Sequence, residues 1–163
     1  MKTLVIYYSL DGNTRCMAEE MAQAIGADTM ELKPVKGMPK SLVARILAGG
    51  FQVMTKKTPA LLPLTRDPAE YDLLILGSPV WAGCYAPAWR SFFSQVSLSG
   101  KRLALFLCHG GGKGDAFGKM RAALAGNEIL AETDFCSPLK ENTEEAKARA
   151  AAWAREAAQG QAS

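Results

Sequence analysis

Three apolar runs without polar alternation stand out along the chain, at Thr3–Tyr8, Asp72–Gly77 and Arg102–Cys108. A strand that carries apolar side chains on both sides is buried on both faces, as in a parallel sheet covered by helices. Two weaker strands are expected at Thr29–Lys33 and Ile129–Phe135. Between them the apolar period lengthens to that of a helix: Met17, Met21 and Ile25; Trp89, Phe92, Phe93 and Val96; Phe117, Met120 and Leu124; Ala146, Ala150, Trp153 and Ala157. Asn142 and Glu145 have the spacing of a capping box ahead of the last helix. The alternation runs strand, helix, strand, helix, five times over. It predicts an α/β fold, a three-layer α/β/α sandwich around a five-stranded parallel sheet, in a single domain over residues 1–163.

The second unit carries a longer connection. A helix is expected to open at Pro39 and to end near Ala48-Gly49-Gly50. Residues 51–70 contain Pro59, Pro63 and Pro68 and read as an ordered irregular excursion, with Met54, Leu61, Leu62 and Leu64 plugging the core. Such a stretch is a candidate ring cover, partner surface or dimer support.

Ligands of open α/β sheets sit beyond the carboxyl ends of the strands. Three loops there are unusual. The first is Ser9-Leu10-Asp11-Gly12-Asn13-Thr14, after the first strand and at the mouth of the first helix. Free amides and the helix dipole favour an anion there, and Ser9, Asn13 and Thr14 add neutral donors while Gly12 lets the backbone curl. The same residue types also suit a plain N-cap and turn, so both readings stand for this loop. The second loop, Gly77-Ser78-Pro79-Val80-Trp81-Ala82-Gly83-Cys84-Tyr85, places an indole among small residues, either as core or as a surface for a flat ligand. The third, His109-Gly110-Gly111-Gly112-Lys113-Gly114-Asp115, lets backbone polar groups approach a ring edge closely. A phosphate at one end and a planar ring at the other describe flavin mononucleotide (FMN).

Competing phosphate chemistries fail on spacing. No G-x-x-x-x-G-K-[ST] occurs, and the first loop has one Gly where a dinucleotide fingerprint needs three. A cysteine phosphatase needs an Arg where Gly114 stands, and a phospho-acceptor receiver needs an Asp where Gly77-Ser78 stands.

Charge and cysteine content narrow the classes further. Nineteen Lys and Arg against sixteen Asp and Glu give +3, too mild to imply nucleic acid. The apolar N-terminal run is too short for a signal peptide, and no segment approaches the roughly 18 apolar residues of a membrane span. Cys16, Cys84, Cys108 and Cys136 form no C-x-x-C pair and there is one His, so no zinc site of the usual spacing exists. Reduced thiols in a cytoplasm are the expected state. Cys84 and Cys108 flank the proposed ring, where a redox role competes with that of small buried hydrophobes.

The motifs "YSLDGNT", "LLILGSPVWAGCYAPAWRSFF" and "GKRLALFLCHGGGKGD" together resemble those of the flavodoxin-like flavoproteins, over nearly the whole chain. The resemblance implies strand order 2-1-3-4-5 and non-covalent FMN. It implies that Ser9, Asp11, Gly12, Asn13 and Thr14 surround the phosphate, with Asp11 ordering the loop, since like charges repel. It implies further that Ser78, Pro79, Val80, Trp81, Ala82 and Gly83 line one side of the ring, and that His109, Gly110 and Gly111 approach its pyrimidine edge. Arg15 is either a phosphate ligand or a solvated helix residue. The sequence departs from the electron carriers of that group in lacking strong acidity and an aromatic in the third loop. Two functions follow from the resemblance: electron transfer to a redox protein partner, or reduction of a small molecule such as a quinone by NAD(P)H, with His109 as a possible proton donor. A module that keeps the fold without flavin is the third alternative.

Overall fold

The computed structural model describes residues 1–160. Its strands are β1 (Thr3–Tyr7), β2 (Asp28–Glu31), β3 (Leu73–Trp81), β4 (Cys84–Tyr85), β5 (Arg102–His109) and β6 (Glu128–Cys136). Its helices are α1 (Asn13–Ile25), α2 (Leu42–Met54), α3 (Ala88–Gln95), α4 (Ala116–Ala123) and α5 (Thr143–Gln159). Five strands pair in parallel in the order β2-β1-β3-β5-β6, and β4 folds back antiparallel on the end of β3. With β4 set aside, this is the expected 2-1-3-4-5 sheet.

The pleat divides the apolar runs between two faces. Leu4 and Ile6 of β1 and Leu74 and Leu76 of β3 pack with Trp89 and Phe92 of α3 and Met120 of α4. Val5, Tyr7 and Ile75 point the other way, onto Met17 and Met21 of α1 and onto Trp153 and Ala154 of α5. Both faces exclude water, which is why the strands read as unbroken apolar runs. Burying each large side chain stabilises the fold by about 1.5–3 kcal/mol.

Gly77 sits where β3 must pass the Phe106 ring, and an added Cβ would lie 2.1 Å from its Cζ, well inside contact distance. Its carbonyl accepts from the indole N–H of Trp89 at 3.1 Å and from the Tyr8 amide at 3.1 Å. One glycine thus ties β1, β3 and α3 together directly beneath the carboxyl edge.

Four expectations are corrected. β3 runs on to Trp81, because Val80 and Trp81 pair with Tyr85 and Cys84 in a two-residue hairpin. The second loop is therefore an antiparallel arm whose tip, Ala82-Gly83, has φ of 48° and 68° at the two central positions, as a type I′ turn requires. Helix α2 starts at Leu42, after extended Ser41, and runs through the glycine pair to Met54. Gly49 does not stop it, because the missing side chain lets the helix rest on Trp81. Met54 and Leu62 are not core plugs: they are 83% and 47% exposed, while Leu61 and Leu64 do pack against the core. Asn142 adopts a left-handed conformation and makes no side-chain cap, so the capping box does not form. Glu144 and Glu145 in the first turn complement the helix dipole instead.

Candidate functional site

The carboxyl ends of β1, β3 and β5 bring the three unusual loops to one edge. Gly12 is the N-cap of α1, at φ 95°, and as a glycine it supplies no side-chain cap. The Ser9 hydroxyl accepts from the Gly12 amide at 3.2 Å, and the Asp11 carboxylate accepts from the Asn13 amide at 3.3 Å. Asp11 is exposed and orders the loop. Asn13 turns its carbonyl oxygen to the Leu139 amide (3.1 Å), which leaves its NH2 group to donate. Thr14 is buried, beside the Cys108 thiol. Arg15 is ion-paired with Glu31 of β2, on the helix surface.

In the hairpin arm, Ser78 is fully buried. Its hydroxyl accepts from the Ala86 amide at 2.9 Å and donates to the Pro79 carbonyl at 2.8 Å, closing the return of the chain. It thus secures the arm. Pro79, Val80 and Trp81 are half-buried, Ala82 is exposed at the tip, and Gly83 is half-buried. The Trp81 indole meets Tyr8 edge-to-face, with ring centroids 5.6 Å apart. Gly49 of α2 covers part of the indole.

The third loop docks on the arm glycine to glycine. A Cβ on Gly114, at φ 51°, would lie 2.9 Å from the Gly83 Cα, so this close approach excludes any side chain. Lys119 of α4 donates to the Gly83 carbonyl at 3.2 Å. Gly110 and Gly111 are exposed. His109 bridges this loop to β6: its Nε2 lies 2.8 Å from Asp134, and its Nδ1 accepts from the Gly111 amide at 3.3 Å. With Nδ1 accepting, the ring proton sits on Nε2 and points at Asp134. Burial raises the Asp134 carboxyl, but hydrogen bonds from Lys113 and His109 outweigh it, and its pKa lies below the ordinary value. Both ring nitrogens of His109 are therefore committed to protein partners.

Cys108 is pushed up to about 12 by burial, so its thiol stays protonated. All four cysteines are free. Tyr8 is also pushed up to about 12 by burial.

Two parts of this edge escaped the sequence reading. The Ser137–Leu139 turn after β6 closes on the first loop: the Ser137 amide donates to the His109 carbonyl at 2.8 Å and Leu139 reaches Asn13. Its only sequence signal is the Ser-Pro dipeptide. The other is a cleft of 1140 Å³ beside Tyr8, Ser9 and Trp81, walled by residues 33–39 and 56–60. Its walls are joined by the Val35 amide to the Ala60 carbonyl (2.8 Å) and the Leu62 amide to the Lys33 carbonyl (2.7 Å). Lys33, Lys36, Lys56 and Lys57 line it with Leu10, Met38 and Pro87.

An FMN phosphate fits the first loop. The first-turn amides of α1 beyond Asn13, the Ser9 hydroxyl and the Asn13 NH2 group offer donors, while Asp11 is engaged with the Asn13 amide.

A family model described as Flavodoxin matches residues 2–132, and the chain belongs to the flavodoxin family. Among solved structures it is similar to a flavoprotein of Lactobacillus acidophilus NCFM in complex with FMN. That match has 24% identity and a TM-score of 0.72, over 86% of this chain and 97% of the other. A protein of Bacteroides eggerthii DSM 20697 matches at 20% identity and a TM-score of 0.78, over 96% and 98%. The two-electron reduced flavodoxin of Megasphaera elsdenii matches at 18% identity and a TM-score of 0.57, over 94% and 98%.

Proposed function

We propose, from membership of the flavodoxin family, that this chain is an FMN-dependent redox protein exchanging electrons with a small molecule admitted beside Trp81. The α1 amides, Ser9 and Asn13 hold the phosphate. The backbone of Ser78–Gly83 and of His109–Gly111 positions the ring. When bound, FMN supplies the electron-transfer chemistry, and the chain binds, orients and screens it from water.

The observation that carries the small-molecule reading is the 1140 Å³ cleft that shares Tyr8, Ser9 and Trp81 with this edge. Ligand sites typically span about 300–1,000 Å³. The four lysines lining the cleft favour an anionic donor or acceptor, such as the phosphates of NAD(P)H or a reducible quinone bearing acidic groups. His109, held by Asp134 and Gly111, orders the third loop in this reading and does not donate a proton to substrate.

The test is an anaerobic spectrum of the yellow protein with NADH, NADPH and dithionite in turn. Bleaching by a nicotinamide supports the reading. Reduction by dithionite alone, in two resolved one-electron steps, overturns it in favour of a carrier between redox proteins. That second reading draws on the Ala82-Gly83 tip, where a left-handed turn presents a peptide group at the loop edge. A protein that stays colourless on FMN addition overturns both.

A further inference from the structure

Helix α2 is turned inside out. Its inward side carries Ala44, Ala48, Gly49 and Gln52, with Val53 the one large apolar residue packed against the core. Its outward stripe is Leu42, Val43, Ile46, Leu47, Phe51 and Met54, which are 58–83% exposed. A surface helix normally buries its larger apolar side chains and shows polar ones. Ten large hydrophobics are exposed in the described residues, and eight lie between Val35 and Leu62, so the exposure is one patch of chain and not scatter.

Charge follows the same boundary. Residues 32–66 contain seven Lys and Arg and no Asp or Glu. The remainder of the chain carries twelve basic against sixteen acidic residues, so the +3 total conceals a strongly polarised molecule. Lys33 and Arg66 meet Glu31 and Asp28. Lys36, Lys40, Arg45, Lys56 and Lys57 have no carboxylate within ion-pair distance among the described residues. The unpaired lysines stand just before and just after the apolar face, and Lys57 lies over the Phe51 ring, 5.4 Å from its centroid.

We propose that this face docks on an anionic lipid surface, with α2 lying in the headgroup plane. Apolar side chains enter the acyl boundary while lysines at both helix ends meet the headgroups, their aliphatic stems lying along the apolar face. A second copy is the poorer occupant, because pairing two such faces brings two acid-free basic segments together. An acidic protein would match the charge, but a helix apolar along one exposed face with lysines at both ends is the arrangement that lies in a headgroup plane. No described helix is long and apolar enough to span a membrane, so the contact is peripheral. The apolar stripe stands apart from the cleft beside Trp81, whereas Lys36, Lys56 and Lys57 also line that cleft, so Ile46→Glu with Phe51→Glu is the variant that separates this inference from the proposed function.

The experiment is co-sedimentation of the full chain with phosphatidylcholine vesicles, with and without about 30 mol % phosphatidylglycerol. The bound fraction should be about tenfold higher on the anionic vesicles and should fall when salt is raised from about 50 mM to about 0.5 M. Ile46→Glu with Phe51→Glu should abolish binding, and Lys36→Gln with Lys56→Gln and Lys57→Gln should reduce it several-fold. All five sites are solvent-facing, and circular dichroism should show both variants folded. Three outcomes overturn the proposal. One is equal partition to neutral and anionic vesicles. Another is no partition at low salt, whether or not the chain is retained on a polyglutamate matrix, retention there assigning the face to an acidic protein. The third is a stable dimer in sedimentation equilibrium that Ile46→Glu dissolves.

Discussion

A Cβ added to Gly49 would lie 3.3 Å from Cε3 of Trp81, so helix α2 rests its backbone on the indole. The contact joins the long connection after β2 to the arm of β3 and forms one wall of the cleft. Its neighbour Gly50 has nothing within 4 Å of an added Cβ. The two glycines should respond in opposite directions. Gly49→Leu should cost about 1–3 kcal/mol by overpacking and shift the tryptophan emission. Gly50→Ala should gain about 0.5–1 kcal/mol from helix propensity. Urea unfolding of the two variants checks both signs.

Gly77→Ala should prevent folding or cost more than about 3 kcal/mol, because its methyl group would overlap the Phe106 ring. Phe106→Ala in the same chain should recover part of the folded population, although by itself it costs about 3–5 kcal/mol. Far-ultraviolet circular dichroism against urea distinguishes a local clash, which the second change relieves, from a global one.

The cysteines should react in order of exposure. Cys136 is exposed, whereas Cys84 and Cys108 are buried and the Cys108 thiol is held protonated to about pH 12. Iodoacetamide at about pH 8 should label Cys136 first and reach Cys108 only when the protein is unfolded. Cys84→Ala with Cys108→Ala should leave flavin reduction intact; a large loss would restore a thiol mechanism.

Asp134 couples β6 to the third loop through His109 and Lys113. Its folded pKa is depressed, so its contribution to stability is present above the ordinary carboxylate range and lost as pH falls through the depressed value. Wild type should therefore exceed Asp134→Asn in stability at neutral pH, and the two should converge in strong acid. Thermal unfolding between about pH 2 and pH 7 reads this difference.

Ser9→Ala with Asn13→Ala should weaken FMN by about tenfold or more while leaving riboflavin nearly unchanged, since hydrogen bonds to a charged group contribute about 1.5–3 kcal/mol each. Trp81→Ala should weaken both flavins and shift the reduction potential. Fluorescence titration with each ligand separates phosphate from ring recognition.

The fold class was legible because both faces of β1, β3 and β5 are dry: burial on both sides forces apolar residues at consecutive positions, and a window of sequence records that directly. The turn into α1 was legible for a similar local reason, since Ser9, Asp11 and Gly12 form it within a few residues. The surroundings of Ser78 and Thr14 were not legible, because Ala86, whose amide bonds the Ser78 hydroxyl, and Cys108, beside Thr14, belong to other elements.

Along its own length, then, the chain determined its alternation of strands and helices, its acid-free basic segment and the donors at the mouth of α1, because these depend on neighbours a few residues away. Only the tertiary structure decided that α2 runs through Gly49 and Gly50 with all of its large apolar side chains but Val53 outward, that His109 faces Asp134, and that Gly83 meets Gly114. Each of those outcomes turns on contact between segments at least 25 residues apart, and the free energy of such a contact is written in neither segment alone.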